Sequence, residues 1–149
     1  MITEAKQADA TELTEIAHKS KQFWGYSDEQ ISQWSDGLTV TEKFISDNLV
    51  FCLKEHGVII AFYALVKIDE AEMELEHFWV SPKNIQKGKG KMLFEHLKGQ
   101  LVPKSISTVK IVSDPNAKEF YEKCGATYQK EHLSPESGRY LPLLRFKIA

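Results

Sequence analysis

The chain is poor in cysteine, and its cysteines are not placed to act together. Cys52 and Cys124 are the only two in 149 residues. They show no Cys-x-x-Cys spacing and no histidine at metal-finger distance, so neither a disulfide framework nor a zinc site is indicated. They read as buried thiols of a reducing compartment. Long apolar runs are also missing, and none approaches the ~18 residues a membrane span needs. The opening MITEAKQADA lacks the basic-then-apolar order of a secretory leader, so the expected location is cytoplasmic, with no membrane partner. Nor is there an excess of either charge. Nineteen Lys and Arg face 21 Asp and Glu, a formal net charge of −2. That excludes attachment to nucleic acid through bulk attraction. The five prolines and eight glycines are scattered and form no linker, and no repeat or low-complexity tract appears.

What remains is an ordinary globular composition, 42% hydrophobic and 27% charged, close to the soluble average. A length of 149 residues predicts one domain, residues 1–149. Such a domain buries about 68–70% of its unfolded surface and needs no metal or disulfide staple. A strand is expected at Ile2–Ala5. Asp9 with Glu12, Ser27 with Gln30 and Thr39 with Glu42 each match a capping box ahead of an apolar stripe, predicting three short helices. Val50–Lys54 and Val58–Ile68 are rich in β-branched and aromatic residues and are separated by Glu55-His56-Gly57, a hairpin-sized connection. With Glu72–Val80 they make a meander ended by Pro82. A helix follows from Gly88 to Leu101, closed by Pro103. Then come a strand at Thr108–Ser113, a helix at Ala117–Cys124, and strands at Thr127–His132 and Leu141–Ile148. The fold class is therefore α/β (α+β), a mixed sheet with helices on its faces.

The most informative segment runs from Val80 to Leu93. It leaves a strand, passes Gly88 and Gly90, and opens directly into a helix. Glycines admit backbone conformations closed to other residues and let a ligand approach closely. A helix N-terminus adds unpaired N–H groups and a positive dipole end, a seat for phosphate. Lys83, Lys87, Lys89 and Lys91 concentrate positive charge on the same turn. A tight connection with a solvated lysine surface is the plain alternative. A dinucleotide-binding turn fits less well, because Leu93 stands where the third glycine belongs. No Gly-x-x-x-x-Gly-Lys-Ser/Thr phosphate loop exists in the chain.

Ile85-Gln-Lys-Gly88-Lys-Gly90 resembles the Gln/Arg-x-x-Gly-x-Gly/Ala pyrophosphate loop of the GNAT superfamily of acyl-CoA-dependent N-acyltransferases, with Ile85 replacing the usual Gln or Arg. Gln86 stands next to it as a substitute. Asp114-Pro-Asn-Ala117-Lys-Glu-Phe120-Tyr121-Glu-Lys-Cys-Gly125-Ala126 resembles a second family segment, Asn-x-x-Ala-x-x-x-Tyr-x-x-x-Gly-Phe, with Asp114 for Asn and Ala126 for Phe. The two occur in the family's order and on matching elements. The resemblance implies a mostly antiparallel sheet of six to seven strands with a splayed central pair, Glu72–Val80 and Thr108–Ser113. It implies acetyl-CoA as co-substrate and no metal. The pantetheine arm would pair with backbone at Phe78, Trp79 and Val80. The pyrophosphate would meet Gln86, Lys87, Gly88, Lys89, Gly90 and Lys91, with Asn116 near the cofactor or capping its helix alongside Asp114.

The implied reaction is direct attack of an amine on the thioester, which calls for a base and an acid. Glu72, Glu74 and Glu76 alternate along their strand and share one face. The resemblance makes Glu74 and Glu76 the base candidates, against a plain reading as solvated charges. His77 falls on the other face and reads as a packed structural histidine. Tyr121 matches the family tyrosine that protonates the departing thiolate, and its ring can equally anchor a short helix. For the acceptor, Trp24 and Tyr26, with Trp34 nearby, would suit a cationic amine by ring-face attraction. Arg139 would suit an acceptor carrying a carboxylate. Core tryptophans and a surface arginine are the plain alternative. The expected function is transfer of acetyl from acetyl-CoA to a small-molecule primary amine or amino acid. The alternative is a catalytically weak acyl-CoA-binding module or sensor. Homodimer formation through the final strand is left open.

Overall fold

The computed structural model describes residues 1–135 and 137–148. Among the described residues seven strands form one mixed, mostly antiparallel sheet that is not closed, flanked by helices, in the order β1-β2-β3-β4-β5-β7-β6. They are β1 (Ile2–Glu4), β2 (Leu49–Glu55), β3 (Val58–Lys67), β4 (Glu72–Val80), β5 (Thr108–Val112), β6 (Thr127–Leu133) and β7 (Tyr140–Lys147). The α-helices are α1 (Ala10–Phe23), α2 (Asp28–Gln33), α3 (Ser35–Leu38), α4 (Glu42–Asp47), α5 (Lys89–Leu101) and α6 (Lys118–Lys123). The chain forms two compact units. One is Met1–Ala64 with His77–Leu93, and the other is Leu65–Glu76 with the described residues from Phe94 on.

In the first unit, Leu13 and Ile16 of α1 pack with Val40, Ile45, Val50, Cys52, Ile59 and Phe62. The β2–β3 connection is shorter than the sequence spacing suggests. Only His56 and Gly57 lie between the strands, with φ of 53° and 77°, the both-positive pattern of a type I′ turn that matches strand twist. Capping follows the predicted chemistry once in three. Ser27 Oγ accepts from the Gln30 N–H at 3.2 Å while Gln30 Oε1 accepts from the Ser27 N–H at 3.0 Å. Asp9 and Glu12 form no such box, because Asp9 Oδ2 instead accepts from the Lys6 N–H at 2.8 Å, closing a 3₁₀ turn over Gln7–Asp9. Thr39 is likewise replaced by Thr41, whose Oγ1 accepts from the Phe44 N–H at 3.0 Å, since the Thr39 hydroxyl donates backwards to the Ser35 carbonyl at 2.7 Å. The early region consequently holds four helices rather than three.

In the second unit, Asp69 Oδ1 accepts from the N–H groups of Ala71 and Glu72, a local turn that launches β4. Among the described residues β4 and β5 run parallel over three rows, Glu72↔Thr108 to Glu74↔Lys110. β5 then pairs antiparallel with β7 from Thr108↔Lys147 to Val112↔Leu143. Phe94 meets the Phe146 ring edge-on, centroids 5.1 Å apart. Neither cysteine is in a disulfide; Cys52 is buried, whereas Cys124 is only half-buried. Among the described residues no helix is long and apolar enough to cross a membrane.

Candidate active site

The segment after β4 is built by its backbone. The Ser81 N–H donates to the Ile60 carbonyl at 2.8 Å, and a 3₁₀ turn over Pro82–Asn84 carries the chain off the sheet. Gln86 and Gly88 then take φ of 65° and 77°, and α5 starts at Lys89. The first helical bond, from the Met92 N–H to the Gly88 carbonyl, is 3.1 Å. Lys89, Gly90 and Lys91 therefore have first-turn N–H groups without an intrahelical acceptor, at the positive end of a 13-residue helix. A Cβ at Gly88 would meet nothing within 4 Å, so glycine is required there for its conformation rather than for space. Gln86, Lys87 and Lys91 are exposed. The Lys89 ammonium differs: it is ion-paired with the Glu55 carboxylate, and the hydrogen bond from Lys89 holds that carboxyl below its ordinary range.

Along β4 the parity holds. Phe78 and Val80 fall on the face of Glu74 and Glu76, whereas Trp79 falls with Met73, Leu75 and His77. The Trp79 ring turns into the first unit and packs on its core. Its Nε1–H donates to His77 Nδ1 at 3.1 Å. That leaves the His77 proton on Nε2. His77 lies between Phe44 and Phe62, each ring centroid 5.7 Å away, and burial pushes its pKa down to about 4. It is a neutral, packed residue, as its parity suggests. The Val80 carbonyl already accepts from Ser20 Oγ at 3.1 Å, which ties α1 to the end of β4.

The rings expected to wall the acceptor surround a lysine of this chain. Lys21, only 6% exposed, places Nζ at 5.0 Å from the Tyr26 ring centroid, 5.3 Å from Trp34 and 5.5 Å from Trp79. Tyr26 and Trp34 meet edge-on at 4.9 Å. The rings thus form an ammonium cage occupied by the chain's own lysine, and Tyr26 does not offer its face to an incoming amine there. Trp24 is instead exposed and meets Phe23 edge-on at 5.4 Å. A cavity of about 700 Å³ opens between α1, the start of β3 and Ser81–Asn84. Lys83 of the basic turn is among the residues that line it.

In the second unit, Glu72 is taken by Arg145 Nε at 2.8 Å, Glu74 is half-buried and Glu76 exposed. Tyr121 is buried, with Phe120 edge-on at 5.3 Å and Phe94 at 6.4 Å. Burial raises its phenol pKa, so the hydroxyl keeps its proton. Asp114 Oδ1 accepts from the Asn116 N–H and from Asn116 Nδ2, both at 2.9 Å. The pair caps the 3₁₀ turn Pro115–Ala117 that leads into α6. Arg139 is half-buried in the connection to β7, where its carbonyl accepts from the Ser134 N–H. Among the described residues no cluster of His, Cys, Asp or Glu is arranged for a metal. The contacts of Lys21 with Trp79, of Glu55 with Lys89 and of Ser20 with Val80 were not legible in the sequence, because each joins separate elements of the chain.

The Acetyltransferase (GNAT) family profile matches residues 11–126, and the chain belongs to that family, a class of acyltransferases. No curated protein sequence matches it. Among solved structures it is similar to the PaiA N-acetyltransferase of Thermoplasma acidophilum in complex with coenzyme A, at 21% identity, TM-score 0.81, covering 99% of this chain and 98% of that one. It is similar to the ribosomal-protein-S18-alanine N-acetyltransferase of Escherichia coli, at 19% identity, TM-score 0.74, covering 100% and 94%. It is also similar to an aminoglycoside 6'-N-acetyltransferase complexed with coenzyme A, at 12% identity, TM-score 0.75, covering 100% and 97%.

Proposed function

We propose that the chain, acting as one N-acetyltransferase domain over residues 1–149, transfers acetyl from acetyl-CoA to the primary amine of a small molecule or amino acid. The observation that carries this reading is the loop. Left-handed Gln86 and Gly88 feed directly into α5, whose first-turn N–H groups lie among exposed Lys87 and Lys91. That combination suits a diphosphate. The neighbours that carry coenzyme A support it.

In the proposed reaction the amine nitrogen attacks the thioester carbonyl and the carbon–sulfur bond breaks. An alkylamine with pKa about 10.4 is mostly protonated at neutral pH. Glu76 or Glu74 takes the proton directly or through water, and Tyr121 gives one to the departing sulfur. Tyr121 is suited to this by staying protonated in its buried position. Phe78 and Val80 flank the pantetheine arm, while Trp79 contributes backbone only, since its ring belongs to the core. The test is thiol release from acetyl-CoA against a panel of amines and amino acids, with Tyr121→Phe beside the wild type. Turnover with at least one acceptor, slowed at least tenfold by Tyr121→Phe with CoA affinity kept, supports the assignment. Binding of acetyl-CoA without release across the panel would favour the sensor reading, and unchanged turnover in Tyr121→Phe would remove the tyrosine from the mechanism.

A further inference from the structure

The four lysines of the loop look alike in sequence, yet one of them is differently placed. Lys89 is the first residue of α5, and its side chain is 18% exposed. Lys83, Lys87 and Lys91 are exposed. Its partner Glu55 is the last residue of β2 and stands directly before the two-residue turn at His56 and Gly57. Such a turn has little freedom, because both residues are locked at positive φ. The ion pair therefore joins the start of a helix to the tip of a hairpin. Its two charges also cancel. A neutral pair adds little to the field that draws a phosphate, whereas Lys87 and Lys91 each add a full charge.

We propose that the Lys89 side chain is a positioning residue and not a phosphate ligand: through Glu55 it fastens the first turn of α5 to the β2–β3 hairpin and holds the loop's N–H groups converged for a diphosphate. Glu55 thereby becomes part of the cofactor site without touching the cofactor. The inference rests on the reading of this loop as the acyl-CoA pyrophosphate seat. The competing assignment has Lys89 leaving Glu55 to bind phosphate, and the two differ in sign. If Lys89 were a ligand held back by Glu55, Glu55→Gln would release it and tighten CoA. If the pair is a fastening, Glu55→Gln weakens CoA.

Calorimetric titration of CoA into the full chain, at about 0.3 M salt so that net-charge changes are screened, reads that sign. Glu55→Gln is expected to weaken CoA about three- to tenfold, and Lys89→Glu alone at least tenfold. The charge-swapped Glu55→Lys/Lys89→Glu chain restores the tie and is expected within about threefold of wild type. A phosphate-binding Lys89 predicts the opposite, since the swap would set a carboxylate against the diphosphate. Tighter binding by Glu55→Gln, or a swap no better than Lys89→Glu alone, overturns the proposal. Thermal melts check that each variant is folded. If the wild-type chain binds no CoA, the reading of the loop fails. The fastening is then judged separately by amide hydrogen exchange over residues 86–92. Glu55→Gln should speed that exchange at least tenfold, and unchanged exchange overturns the fastening as well.

Discussion

The glycine–lysine loop and the connection from α1 to α2 both attract notice in the sequence, and they were legible to very different degrees. The loop works through backbone: positive φ at Gln86 and Gly88, then a helix N-terminus. Local residue order marks Gly88 and the helix start, whereas nothing in it marks Gln86 as left-handed. The α1–α2 region works through side chains from separate elements. Its rings Tyr26, Trp34 and Trp79 suggest a cage for a cation, and they are one. The cation is Lys21, which no local pattern connects to Trp79. A motif can announce a site made of N–H groups, but not which side chain occupies a cage.

The largest effect that would sharpen this contrast concerns the proton carrier proposed on β4. Glu76→Gln or Glu74→Gln should lower turnover by about 10²–10⁴-fold in whichever variant removes the base. Equal, small effects of both would assign the proton to water alone. Next is the loop. Gly88→Asp forces a side chain into a left-handed conformation and adds negative charge beside the phosphates, and should weaken CoA by at least tenfold. Calorimetry showing unchanged affinity would break the comparison at its legible end.

Smaller effects concern the core beneath the cage. The folded pKa of His77, about 4, lies below the ordinary 6.5, so the unfolded chain binds a proton that the folded one refuses. Stability should be complete above about pH 6.5 and fall as pH drops toward 4, by on the order of 3 kcal/mol at most. Melts across that window should show the decline, and His77→Gln should flatten it. Last, Lys21→Met keeps the stem and removes the caged charge. A loss of about 1–2 kcal/mol in denaturant melts is expected, and no loss would mean the rings hold α2 without it.

Much of the fold was readable because hydrophobic period and turn chemistry are local. β4 was placed at Glu72–Val80 without error, because Asp69 upstream and Pro82 downstream mark its ends. Ser27 and Gln30 form the box their spacing announces. Asp9 and Thr39 failed by the same rule, since each has a nearer competitor: Asp9 closes the preceding turn onto Lys6 and Thr39 bonds back to Ser35. At the site, spacing found the loop and the parity of β4. It could not show that Lys89 is engaged by Glu55 across the hairpin, or that the Trp79 ring points away from the face of Phe78 and Val80. Those facts belong to packing.

The central claim is that residues 86–91 seat the pyrophosphate of acyl-CoA. Calorimetric titration of CoA, and of pantetheine lacking the nucleotide and its phosphates, into the wild-type chain tests it most directly. The account predicts saturable CoA binding and pantetheine at least tenfold weaker, with CoA affinity falling as salt rises. Equal affinity for the two, or no CoA binding, would contradict it.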